Sequence, residues 1–305
     1  MSEVIRAVDL TKHYRKIAAL DGLNLVIPEG SVFGLVGPNG AGKTTTIKTV
    51  MNILKPDSGH AEVLGVDSRR IGPAELARIG YVSENQEMPD WMTLAYLLAY
   101  LKPFYPSWDD AYAAHLVSQF DLPRDRKLRH LSRGMRMKAA LVSSLAYRPQ
   151  LLVLDEPFSG LDPMVREDLI EGILESAEET TILVSSHDLA EIESFASHIG
   201  YLEAGRLRFA EEMTSLSARF REIEVTLDAS MEAPEPIRGP DEWPVTWLRL
   251  DSIAGIVRFV ETDFDADRAT GDIRRLFGEV RNISVNPMPL RAIFVALARS
   301  RPKAV

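Results

Sequence analysis

No cysteine occurs in the 305 residues of the sequence, which excludes disulfide frameworks, thiolate metal sites and cysteine nucleophiles and favours a reducing compartment. No run of eighteen predominantly apolar residues is present, and the opening Met1-Ser2-Glu3-Val4-Ile5-Arg6 lacks the apolar stretch of a signal segment. A chain that neither enters nor crosses a membrane by itself is therefore expected. Positive charge is also short: 35 Lys and Arg stand against 44 Asp and Glu, a net charge of −9. That argues against binding driven by a nucleic-acid backbone, and no nucleic-acid partner is expected. With 19 Gly and 18 Pro the chain is neither fibrous nor of low complexity, and 46% hydrophobic and 26% charged residues are ordinary globular values. The length suits two domains.

What is present begins with an apolar run of strand length, Val32 to Val36, followed by a glycine-rich turn. Next comes a helical pattern from Lys43 to Leu54 that puts Ile47, Val50 and Leu54 on one face and stops at Pro56-Asp57-Ser58-Gly59. Leu151–Leu154 and Thr181–Val184 are further apolar runs without alternation, as in a parallel sheet covered on both faces. Residues 85–145 read mostly as amphipathic helix broken by Pro103, Pro106 and Pro123, a helical subdomain inserted into an α/β core. A hairpin is expected about Ala204-Gly205. After residue 215 the pattern changes: Ile223, Val225 and Leu227 alternate with polar residues, and a Pro-rich stretch follows from Ala233 to Pro244. Strands near 246–251, 255–262 and 280–286 and helices near 265–277 and 289–299 then make a small α+β domain over 220–305, after an α/β domain over 1–215.

Gly37-Pro38-Asn39-Gly40-Ala41-Gly42-Lys43-Thr44 fits G-x-x-x-x-G-K-[ST] between a strand and a helix. Backbone N–H groups can point inward around a polyphosphate only where tight turns lack Cβ atoms, and a helix N-terminus adds positive potential at the same spot. The nucleotide-binding candidates are Gly37, Pro38, Asn39, Gly40, Ala41, Gly42, Lys43, Thr44 and Thr45, with Lys43 reaching the β- and γ-phosphates and Thr44 placed to ligate Mg²⁺. Asp155 and Glu156 end the run Leu151–Leu154, at the strand end where open α/β sheets bind ligands. Asp155 is read as a holder of Mg²⁺, and Glu156 as the group that orients or deprotonates the attacking water.

These two motifs, with Leu131-Ser132-Arg133-Gly134-Met135 before a helix, resemble the ATP-binding subunit of an ABC transporter, over about residues 4–215. The resemblance implies the P-loop NTPase fold and Mg²⁺-dependent ATP hydrolysis. It also implies a homodimer closed by ATP, and a separate membrane permease that holds the chain on the cytoplasmic face of the cell membrane. Within it, Ser132 and Gly134 belong to a signature motif that meets the γ-phosphate held by the opposite subunit. Ser159-Gly160-Leu161-Asp162 resembles the D-loop, His187 the switch histidine and Tyr14 the aromatic that stacks on adenine. Three positions depart from the pattern. Arg133 stands at the first glycine and Met135 at the glutamine of the commonest signature, and Glu84 replaces the glutamine usual three residues after Tyr81, with Gln86 two further on. Either Glu84 or Gln86 could act at the metal, and Glu84 is favoured because a carboxylate can ligate Mg²⁺ or hold a water as the amide does. The tail resembles, less specifically, the C-terminal extension of type-2 exporter ATPases. A soluble ABC ATPase acting on ribosome or DNA is the rival reading, and a nucleotide sensor without turnover a third.

Overall fold

The computed structural model describes residues 2–228 and 243–299, so the Pro-rich stretch, apart from Trp243 and Pro244, lies outside the described residues. The chain separates into two compact units, Met1–Glu211 and Glu212–Val305. The first unit opens with two long strands, β1 (Glu3–Tyr14) and β2 (Ile17–Pro28), followed by β3 (Val32–Val36) and α1 (Lys43–Val50). Then come β4 (Ser58–Val63), β5 (Val66–Asp67), α2 (Pro73–Leu76) and β6 (Ile79–Ser83). Three helices follow, α3 (Leu94–Leu101), α4 (Asp110–Gln119) and α5 (Arg133–Leu145), before the chain returns to the sheet with β7 (Leu151–Asp155). The unit ends with α6 (Pro163–Ser176), β8 (Thr181–Ser186), α7 (Leu189–Glu193), β9 (His198–Glu203) and β10 (Arg206–Glu212). In the second unit α8 (Met213–Arg219) and β11 (Arg221–Leu227) precede β12 (Trp247–Ile253) and β13 (Ile256–Glu261). The last described elements are α9 (Ala266–Phe277), β14 (Val280–Pro287) and α10 (Leu290–Arg299).

The first unit holds a six-stranded sheet in the order β10-β9-β3-β8-β7-β6 and a four-stranded sheet in the order β2-β1-β4-β5. β9, β3, β8, β7 and β6 run parallel to one another. Every residue of β3, β7 and β8 is buried, which is why those segments are apolar without alternation. β1 and β2, antiparallel to each other, send alternate residues such as Leu23, Leu25 and Ile27 inward to one core with Phe33, Leu35, Ile47, Val50 and Val153. That core between the sheets clamps α1 and thereby fixes the start of the helix.

α1 ends at Val50, four residues before the extent its apolar spacing implies. Asn52 takes a left-handed conformation with φ of 57°. The N–H groups of Ile53 and Leu54 both donate to the carbonyl of Lys48, at 2.9 Å, so the helix closes with its last carbonyls satisfied, and Leu54 lies beyond it. The hairpin about Ala204-Gly205 is present, with φ of 49° and 74° at its two turn residues. No helix among the described residues is long and apolar enough to cross a membrane.

The second unit is a four-stranded sheet in the order β12-β13-β11-β14. Ile223, Val225 and Leu227 of β11, with Val257 and Phe259 of β13, pack against Ala269, Ile273 and Phe277 of α9. Alternation along β11 follows from having only one of its faces in this core.

Candidate functional site

Parallel pairing aligns the strand ends. Val36 lies opposite Ser186, Ser83 opposite Asp155, and Asp155 opposite Ser185. Gly37, Glu84, Glu156 and His187 are each the first residue after one of the strands β3, β6, β7 and β8, so four segments distant in sequence deliver their first loop residue to one edge of the sheet. A cavity of about 530 Å³ opens there, lined by Tyr14, Lys43, Thr44, Glu84, Glu156 and His187 among others.

The loop before α1 depends on glycine at particular positions. Gly40 and Gly42 have φ of 81° and 109°, and a Cβ on Gly37 would stand 2.1 Å from the carbonyl oxygen of Leu202. The loop can therefore turn tightly and bring its amides to the helix start. Lys43, 5% exposed, folds back across it: its Nζ donates to the carbonyl oxygens of Gly37 at 2.7 Å and Pro38 at 3.3 Å, and lies 3.1 Å from Glu156 Oε1. The ammonium thus spans the space over the loop, with three acceptors in place.

Asp155 is buried, and its Oδ1 accepts from the Thr44 hydroxyl at 3.1 Å and from Ser185 Oγ at 2.7 Å. Glu156 follows in a left-handed backbone conformation, φ 53°, a strained arrangement for a residue with a side chain. Its N–H donates to Ser185 Oγ at 3.0 Å, and its Oε2 lies 2.7 Å from His187 Nδ1. One carboxylate therefore meets Lys43 through one oxygen and His187 through the other.

Ser185 is the residue that sequence reasoning missed. It is fully buried, it donates to Asp155, and it accepts from the backbone of Glu156, so it fixes both carboxylate residues. The signal was a hydroxyl directly after the apolar run Ile182–Val184 of a buried strand, since a buried hydroxyl needs a partner. Ser185→Ala leaves the Glu156 N–H without an acceptor and should lower stability by about 1–3 kcal/mol, measured by denaturant unfolding.

Glu84 and Gln86 separate clearly. Gln86 turns its amide oxygen back to accept from the Ser83 N–H at 3.3 Å, while Glu84 lines the cavity, with its own N–H donating to the Asp155 carbonyl at 2.9 Å. Tyr14, at the end of β1, is 48% exposed on the cavity wall, as a ring that stacks on a flat ligand must be. Ser132 and Gly134 are not brought into this cavity. Ser132 caps α5, its Oγ accepting from the Met135 N–H at 3.2 Å, and is exposed. A Cβ on Gly134 would stand 2.7 Å from Val165 Cγ1, so only glycine lets the start of α5 lie this close to α6.

The ABC transporter family model matches residues 20–159. The daunorubicin/doxorubicin resistance ATP-binding protein DrrA of Streptomyces peucetius is 31% identical over 97% of this chain and 92% of its own length. The ABC transporter ATP-binding protein YtrB of Bacillus subtilis is 33% identical over 70% of this chain and 73% of its own. A solved ATP-binding subunit of an ABC transporter superposes with a TM-score of 0.64 at 26% identity, covering 70% of this chain and 92% of that one.

Proposed function

The chain belongs to the ATP-binding subunits of ABC transporters, and from that membership we propose that it binds Mg²⁺-ATP at the edge of the six-stranded sheet and hydrolyses it there with Glu156 and His187. It is an ATPase subunit that drives a permease carried on another chain. The observation that carries the site assignment is the alignment of Gly37, Glu84, Glu156 and His187, each one residue past a parallel strand. Phosphoryl transfer asks a protein mainly for positioning and charge, and these residues supply both.

Lys43 has two roles. Its ammonium is held by two loop carbonyls and Glu156; a Lys43 ammonium directed at the β- and γ-phosphates would leave the Glu156 carboxylate to accept a proton from water or orient it. His187, whose ring nitrogen faces that carboxylate at 2.7 Å, holds it from the other side. Thr44 and Asp155, whose oxygens lie 3.1 Å apart, with Glu84 on the cavity wall, would supply hard oxygen ligands to a Mg²⁺ that keeps water and phosphate in its other positions. Mg²⁺ when bound neutralises charge on the phosphates. Tyr14 gives adenine a stacking surface.

Ser132, the exposed cap of α5, does not line the cavity of its own chain. It serves the nucleotide of a second copy, which makes the working unit a head-to-tail homodimer with shared sites. The end-to-end match with a resistance protein, tail included, favours export as the direction of transport, with the chain seated on the cytoplasmic face through its permease. The soluble ribosome- or DNA-directed reading has no observation in its favour, and the net charge of −9 opposes it. Sizing of the Glu156→Gln chain tests the dimer: Mg²⁺-ATP should produce a species of twice the mass that ADP does not support. A monomer at every ATP concentration, with and without the permease, overturns it.

A further inference from the structure

Two of the three departures from the family pattern, Glu84 and Arg133, meet in space. Glu84 Oε1 accepts from Arg133 Nη2 at 2.9 Å and from Ser159 Oγ at 2.8 Å. The Arg133 guanidinium also covers Gly160, where a Cβ would stand 2.8 Å from Nη1 and where φ is +65°. One side chain therefore joins three segments: the first turn of α5, the loop after β6 and the loop after β7.

Arg133 is misplaced by local rules. It is the first residue of α5, and the first turn of that helix carries no acidic residue, so its charge meets the positive end of the helix dipole, where a cation is disfavoured. A local rule broken at one place calls for compensation nearby. The carboxylate of Glu84 supplies it, which a glutamine there could do only with a neutral amide, and a glycine at 133 could not reach Glu84 at all. The two substitutions complement each other.

We propose that the Arg133–Glu84 pair is a positioning link that couples the nucleotide site of a chain to the α5 start which the same chain presents to its partner. The inference rests on the dimer reading above, because only in that assembly do Glu84 and Ser132 serve different nucleotides. Glu84 lines the cavity of its own chain, so ordering of that loop by ATP passes through Arg133 to the first turn of α5. The close packing of Gly134 on Val165 carries the same movement to the start of α6. Occupancy of one site is then felt at the other by a path of one ion pair.

Hydrogen exchange in the isolated chain at dilutions below dimerisation tests the link, with ATP added in a Glu156→Gln background. Exchange should slow at residues 40–46, which contact the nucleotide. It should slow as well at the amides of Met135 and Arg136, by about three- to fivefold, the range an exposed ion pair supports. Arg133→Ala should abolish the response at 135–136 while 40–46 still respond, and Arg133→Lys should restore part of it. Equal responses at 135–136 in Arg133→Ala and its parent, or none in the parent while 40–46 respond, overturn the inference. The dimer reading fails separately, by the sizing experiment, since exchange is read on the monomer.

Discussion

Lys43→Ala is expected to weaken ATP binding by about ten- to hundredfold, whereas Glu156→Gln should keep the affinity and lower turnover by about 10² to 10⁴. The first figure follows from losing hydrogen bonds from a buried ammonium to phosphate, at about 1.5–3 kcal/mol. The second is the usual contribution of a positioned base. The structure sharpens the contrast, because both residues belong to one ion pair, 3.1 Å apart and nearly closed to solvent. Removing Lys43 deletes a ligand contact and also leaves the Glu156 carboxylate with His187 alone. Glu156→Gln retains an oxygen that can still accept from Lys43, so the loop keeps its shape. Binding measured by fluorescent nucleotide titration and turnover by phosphate release separate the two; equal loss of binding in both variants sinks the assignment. Measured as free energies, the Lys43 defect belongs to ground-state and transition-state binding together, and the Glu156 defect to the transition state only.

Legibility in the sequence followed the locality of the signal. The loop Gly37–Thr44 was readable because its conformation is specified within eight residues, by glycines that take positive φ and a lysine at the helix start. The apolar runs Leu151–Leu154 and Thr181–Val184 were readable because burial on both faces removes alternation. What escaped was pairwise. Ser185 is one more small polar residue until its strand is set beside β7, where its hydroxyl meets Asp155. Arg133 and Glu84, 49 positions apart, looked like two unrelated defects, and only the packing of α5 beside the loop after β6 shows them as one contact. The sheet of β1, β2, β4 and β5 was also not resolved from sequence, since bulges in the pairing of β1 break the two-residue period. The end of α1 was misplaced because Asn52, a polar residue of no special prominence, decides where the helix stops.

Phe259→Ala should strongly destabilise the C-terminal unit with little effect on nucleotide binding. Phe259 is 1% exposed and stacks on Trp247 with ring centroids 3.7 Å apart and planes 18° from parallel. Trp247 in turn donates through its indole N–H to the buried Glu261 carboxylate at 2.8 Å. Emptying this place removes a full aromatic side chain from the core of a small sheet, a cost of about 3–5 kcal/mol. Against a total stability of about 5–15 kcal/mol for a domain, that is a large fraction of the margin. Every candidate phosphate contact, from Gly37 to His187, lies in the other unit, whose core of Phe33, Leu35, Ile47 and Val153 includes, among the described residues, none beyond Leu207. Calorimetry should therefore resolve two transitions. Phe259→Ala should lower one of them by more than about 10 °C, at roughly 4–8 °C for each kcal/mol in a unit this small. Mg²⁺-ATP should raise the other in both proteins, because a ligand stabilises only the unit that binds it. A single transition that falls as a whole, together with lost ATP affinity, would mean that the nucleotide site depends on the tail for its own stability.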